Sequence, residues 1–188
     1  KPGISTAVVD ESNKRGLRVA GHIHDLAEAG EVVAAGAGIL AHGVRDKPVP
    51  QEFIDKLKSK GIWYIATLQL DEATTAWADQ APWTQSPFTR AGLSDALVTQ
   101  FASADWRREH SSGKPAEFAR TSLANNLANL KTLYDAGVKI GFGTDSGAMP
   151  LRGPGVAEHR ELALSVQAGL SQTEAIRLAT GNAAALLG

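Results

Sequence analysis

Cysteine is absent from all 188 residues, which excludes a disulfide framework and any thiolate metal site. Long hydrophobic runs are missing as well, and no stretch approaches the ~20 apolar residues that span a bilayer. Nor is there an excess of one charge. The 19 Lys and Arg residues nearly balance 20 Asp and Glu, for a net charge of −1, which argues against a nucleic-acid-binding stripe and a polybasic membrane anchor. Lys1–Ser5 lack the apolar core of a signal peptide and read as the middle of a longer chain. The compartment stays open, with the cytoplasm slightly favoured. What remains is a globular composition, 43% hydrophobic, long enough to bury a sizeable core.

Short apolar runs at Leu17–Gly21, Gly38–Ala41, Ile62–Leu68 and Val138–Thr144 read as strands, with helical patterns between them. Asp25 and Glu28 have capping-box spacing and open a helix that runs to about Ala35. Pro48 and Pro50 start a second, with Val49, Phe53, Ile54 and Leu57 on one face. The alternation predicts parallel strands whose ends point the same way. The first three strands begin at residues 17, 38 and 62, but the next begins near 138. The intervening chain predicts a partly helical insertion over residues 71–114, carrying Trp77, Trp83 and Trp106 across the mouth of the fold. The crossover helix then spans Glu117–Asp135, with Phe118, Leu123, Leu127, Leu130 and Tyr134 facing inward. Helices over Val156–Ala168 and Gln172–Ala179 come next, and Gly181 and Asn182 mark a break. The fold class is α/β, of the TIM type, (β/α)8. Four strands are too few to close such a barrel, so the chain reads as half of one.

His22, His42 and Asp145 each fall at or just past the end of a strand run. In a (β/α) barrel that end carries the active site, and two imidazoles with a carboxylate there make a divalent-metal site the leading reading. Each residue also has a plainer reading. His22 and His24 share one face of the strand by its period of two, where such a pair is often incidental. His42 reads equally as a satisfied core histidine, and Asp145 as a turn residue capping the next segment of chain. Arg152 lies on the same loop as Asp145; it either grips a substrate anion or is solvated. Arg45, Glu158 and His159 are weaker candidates, and His110 reads as an exposed residue of the insertion.

Taken together, Val19–His24, Ala41-His42-Gly43, Gly143–Ser146 and the closing Ala179–Ala184 segment resemble the amidohydrolase superfamily of metal-dependent hydrolases, above all its prolidase-like and imidazolonepropionase-like members. The resemblance implies that His22 and His42 are the metal ligands of barrel strands 5 and 6. It also makes Asp145 the strand 8 acid, which serves both as ligand and as catalytic base. His24 then faces substrate, and Arg152, Arg45 and Tyr64 are candidates to hold a substrate carboxylate. The cofactor implied is one or two divalent ions, zinc before others, and the substrate a small amide or peptide-like molecule. No His-x-His of strand 1 and no Lys-bearing strand 4 precede residue 22. The missing N-terminal half of the barrel is therefore an expected partner, or a second copy in a homo-oligomer, because unpaired strand edges are a liability. Two rivals stand beside this reading. One is a metal-free barrel acting on a phosphorylated substrate at the glycine-rich Gly143–Gly155 loop. The other is a non-catalytic half-barrel.

Overall fold

In the computed structural model, which describes residues 2–188, β1 (Ala20–His22), β2 (Ile39–Ala41), β3 (Trp63–Ile65) and β4 (Lys139–Ile140) form one parallel sheet in that order. Ala20, Ile39, Trp63 and Lys139 lie abreast, and the next row is Gly21, Leu40, Tyr64 and Ile140. Side chains alternate between faces. The row of Leu40, Tyr64 and Ile140 is therefore buried beneath the helices, whereas Ala20 and Lys139 at the ends of the other row are exposed. One face of the sheet is covered and the other is open, as in a barrel cut lengthwise.

The covering helices obey local signals closely. The Asp25 side chain accepts from the Glu28 amide at 2.8 Å and opens α2 (Leu26–Ala35) after α1 (Pro2–Lys14). On α3 (Gln51–Lys60), Phe53, Ile54 and Leu57 are buried, as their spacing requires. Together with Leu40, Val44, Leu68, Leu133 and Leu164 they form one core.

β3 and β4 end sooner than their apolar runs suggest, whereas β2 ends where its run does and β1 one residue later. β3 stops at Ile65, because Thr67 turns into the left-handed region (φ 48°) and α4 (Leu68–Ala76) begins. Three short helices come after it, α5 (Pro87–Ala91), α6 (Asp95–Ala102) and α7 (Ala104–Ser111). They hold an aromatic cluster of their own, in which Trp77 stacks on Phe101 at 4.5 Å and meets Trp83 edge-on at 5.3 Å. The crossover helix α8 (Gly113–Asp135) starts ahead of Glu117, and Phe118 is 66% exposed rather than inward. Its buried face carries Ala116, Ala119, Ser122, Asn126 and Asn129 ahead of Leu130 and Leu133. Small side chains bring α8 close to neighbouring backbone, and a Cβ on Gly43 would sit 1.9 Å from Asn126 Oδ1. Asn126 in turn donates to the Ala66 carbonyl, and Asn129 to those of Val44 and Lys47.

After α9 (Val156–Gln167) and α10 (Gln172–Arg177) the chain does not break at Gly181–Asn182. It continues through a π-helical stretch, Leu178–Asn182, into α11 (Ala183–Leu187). The wider turn is pinned by Asn182, whose amide donates to the Ile140 carbonyl at 2.8 Å. No described helix is long and apolar enough to cross a membrane.

Glu161, on α9, is fully buried, and its oxygens accept from the Leu68 and Gln69 amides at 2.8 and 2.7 Å. Those amides favour the carboxylate, but burial outweighs them and raises the pKa from 4.5 to about 8. Across that window the folded state holds a proton that the unfolded chain releases, so stability falls as pH rises. Replacing Glu161 by Gln removes this dependence. Relative to the variant, the wild type is expected to lose up to about 1.4 kcal/mol per pH unit between roughly pH 5 and pH 8. Urea unfolding of both proteins across that range checks it. The neutral His42, whose effect runs the other way below its ordinary pKa, is common to both and cancels. Parallel stability curves would place no buried titrating carboxyl at residue 161.

Candidate functional site

Left-handed backbone outside glycine occurs among the described residues at His42 (φ 76°), Thr67 (φ 48°), Gln80 (φ 53°) and Asp145 (φ 55°). Three of these, His42, Thr67 and Asp145, lie just past the carboxyl ends of β2, β3 and β4. Such conformations cost roughly 1–3 kcal/mol each and persist where the surroundings fix them. Here the fixing contacts are visible. His42 Nδ1 and Thr67 Oγ1 hydrogen-bond at 3.0 Å. Beside Asp145, the Thr144 and Ser146 hydroxyls both donate to Glu158 Oε1, at 2.8 and 2.6 Å. The other Glu158 oxygen accepts from the Gly155 amide at the start of α9. Arg152, buried, donates to Asp145 Oδ2 at 2.5 Å.

The two imidazoles expected from the sequence do come together. The rings of His22 and His42 lie 4.5 Å apart, and that of His24 lies 4.3 Å from His22 with Nε2 to Nε2 at 2.9 Å. The His24 ring and main-chain amide both bond Glu28, at 3.2 and 2.8 Å. Burial, aided by the charge of His22, lowers the pKa of His42 to about 4, so its ring is unprotonated at neutral pH. With Nδ1 engaged by Thr67, the nitrogen left to His42 is Nε2. This is the disposition of an imidazole ligand braced by a hydrogen bond on its other nitrogen. Asp145 lies close enough to act on the titration of His42, but its carboxylate is turned to Arg152. No group of three or more His, Cys, Asp or Glu side chains among the described residues is placed to hold a metal ion. The chain thus offers two nitrogen donors of the right kind and an adjacent carboxylate, without a complete ligand set.

Other candidates fall elsewhere. Arg45 is buried against Asp71 at 2.9 Å. Burial raises the Asp71 pKa, and the Arg45 guanidinium and the Asn126 amide hold it back. Tyr64 is fully buried in the core rather than at the mouth, and its hydroxyl accepts from the Val44 amide at 2.7 Å. His159 is exposed and meets Phe88 at 5.1 Å, away from the His22–His42 pair. His110 is half-buried rather than fully exposed, with Nδ1 against the Trp106 carbonyl. It lines a cleft of 450 Å³ together with His22, His24, Arg45, Phe118 and Arg152. Leu151 lines the cleft too, and its carbonyl accepts from Trp77 Nε1 at 2.9 Å. Thr67 and Asp71 escaped the sequence reading. The one available signal was the position of Thr67, which stands at the end of its strand run as His42 does.

A parallel βα sheet covered on one face, with its polar side chains gathered beyond the strand carboxyl ends, defines part of a TIM-type barrel. The chain belongs to the amidohydrolase family, which it matches over residues 3–188. Solved structures agree in fold. Ochratoxinase from A. niger superposes with a TM-score of 0.64 at 23% identity, over 97% of this chain and 33% of that one. A Xaa-Pro dipeptidase gives 0.66 at 22% identity, over 100% and 38%, and a bottromycin amidohydrolase 0.65 at 18%, over 97% and 43%. The chain therefore spans well under half the length of these structures. No curated protein sequence matches it.

Proposed function

We propose that these residues form the part of a metal-dependent hydrolase that supplies two imidazole ligands and the general base for cleavage of an amide-like C–N bond. One observation carries the reading: His42 and Asp145 project from strained backbone beyond the strand ends, and His42 stands against His22. His22 and His42 would hold a divalent ion, zinc being one that suits imidazole donors. When bound, such an ion polarises the scissile carbonyl and draws the pKa of water from roughly 15.7 toward about 7. Asp145 does the proton work. Arg152 fixes Oδ2, which leaves Oδ1 to take the proton of the attacking water. As the water oxygen bonds to the carbonyl carbon and the C–N bond breaks, Asp145 returns that proton to the departing nitrogen. His24 turns its Nε2 to substrate once His22 is engaged as a ligand. Arg152 serves Asp145, and Tyr64 serves the Val44 amide.

His22→Ala and His42→Ala, each in the complete gene product, are expected to weaken metal affinity at least 10–100-fold, the loss typical of removing even an outer partner. Elemental analysis after equilibration with limiting zinc reads it. Full stoichiometric metal in both variants would remove the two residues from the ligand set.

A further inference from the structure

The cleft beside His22 is unevenly furnished. Its walls are apolar: Leu70 and Ala73 on α4, Phe118 on α8, and Met149 and Leu151 after β4. Phe118 and Met149 are 66% and 51% exposed, and each loses water contact if a ligand fills the space between these walls. Charge is present in the cleft, but it is already paired. Arg45 is held by Asp71 at 2.9 Å with both side chains less than a tenth exposed, and Arg152 is held by Asp145 at 2.5 Å. His24 bonds Glu28 and His110 bonds the Trp106 carbonyl. Among the described residues that line the cleft, both arginines already carry a carboxylate partner and there is no lysine.

We infer that the cleft receives an uncharged apolar arm of the substrate, aryl or branched alkyl, and disfavours a substrate that carries a carboxylate into it. The inference rests on the amide-hydrolase reading for its substrate but not for its binding chemistry. A carboxylate entering the cleft must shed water to meet guanidinium groups whose charge Asp71 and Asp145 already neutralise, or draw one of them away. Taking Arg45 would leave Asp71 buried and unpaired, and taking Arg152 would release the base from its orientation. An apolar arm meets neither obstacle, and gains by covering Phe118 and Met149.

Two ligands with one phenethyl arm and no amide test the point: phenethyl methyl sulfone, which is neutral, and 2-phenylethanesulfonate, which is anionic and a weak metal ligand. Binding to the complete protein is measured by ligand-observed NMR titration. The sulfone is expected to bind about tenfold more tightly, and Phe118→Ala to cost the sulfone on the order of tenfold, the scale of an apolar pocket contact. Phe118 is exposed, so its truncation leaves the core untouched, and Met149→Ala provides a second probe of the same wall. Sulfonate binding as tight as the sulfone, or sulfone binding indifferent to both substitutions, would overturn the inference. Hydrolysis of an aryl amide is assayed in parallel. If no amide is cleaved while the sulfone preference holds, the enzymatic reading fails and the cleft assignment stands.

Discussion

Asp145→Asn is expected to lower kcat by about 10²–10⁴ while KM stays within a few-fold, because the amide cannot accept the proton that general-base catalysis requires. The substitution is close to a pure test of chemistry. Asn is among the side chains that tolerate left-handed backbone, so the φ of 55° at this position is kept. The Thr144 and Ser146 hydroxyls still anchor the loop to Glu158. Steady-state kinetics on an aryl amide, with circular dichroism as the control for fold, decide it. An unchanged kcat would reduce Asp145 to a turn residue fastened by Arg152.

Arg45→Met is expected to cost the complete protein about 3–5 kcal/mol of stability, the penalty of a buried charge deprived of its partner. Asp71 would remain 4% exposed, with the Asn126 amide at 3.2 Å as its one other polar contact. The companion variant Arg45→Met/Asp71→Leu removes both charges, and most of the loss should return, since the penalty lies in the orphaned carboxylate. Urea denaturation of the wild type and both variants gives the comparison. A single-variant loss below about 1 kcal/mol would equate this pair with an exposed one.

The sequence was readable wherever the controlling interactions were local. Asp25 and Glu28 lie one helical turn apart, so the cap that starts α2 is written in four residues. His22, His42 and Asp145 were found because a parallel sheet sends every strand end to the same rim, and a polar residue terminating an apolar run stands out. Strand lengths were less legible. The run Ile62–Leu68 continues in apolar character past Ile65, but Thr67 turns it into α4, and the two amides freed there are met by Glu161, 93 and 92 residues later. No local pattern encodes that partner. The inward face of α8 was misread at Phe118 for a related reason. Its packing depends on close backbone approach and on Asn side chains that satisfy carbonyls of the strand-end loops, so the buried stripe does not look apolar. Tyr64 misled by its hydroxyl, which reads as a binding group and is taken up by the Val44 amide.

The left-handed residues at the sheet rim carry an evolutionary consequence. Glycine adopts that backbone without strain, so at His42 and Asp145 the residue that best relieves the backbone is not the one the proposed chemistry needs. A lineage freed from selection for catalysis loses the reason to hold His and Asp there, and the Asp145–Arg152 pair is expected to disappear as a unit, since glycine at 145 alone would strand a buried guanidinium. One still under selection keeps an imidazole and a carboxylate where the backbone resists them. Retention of His and Asp there across related genes is thus a record of use, and their loss marks a copy that has become a scaffold.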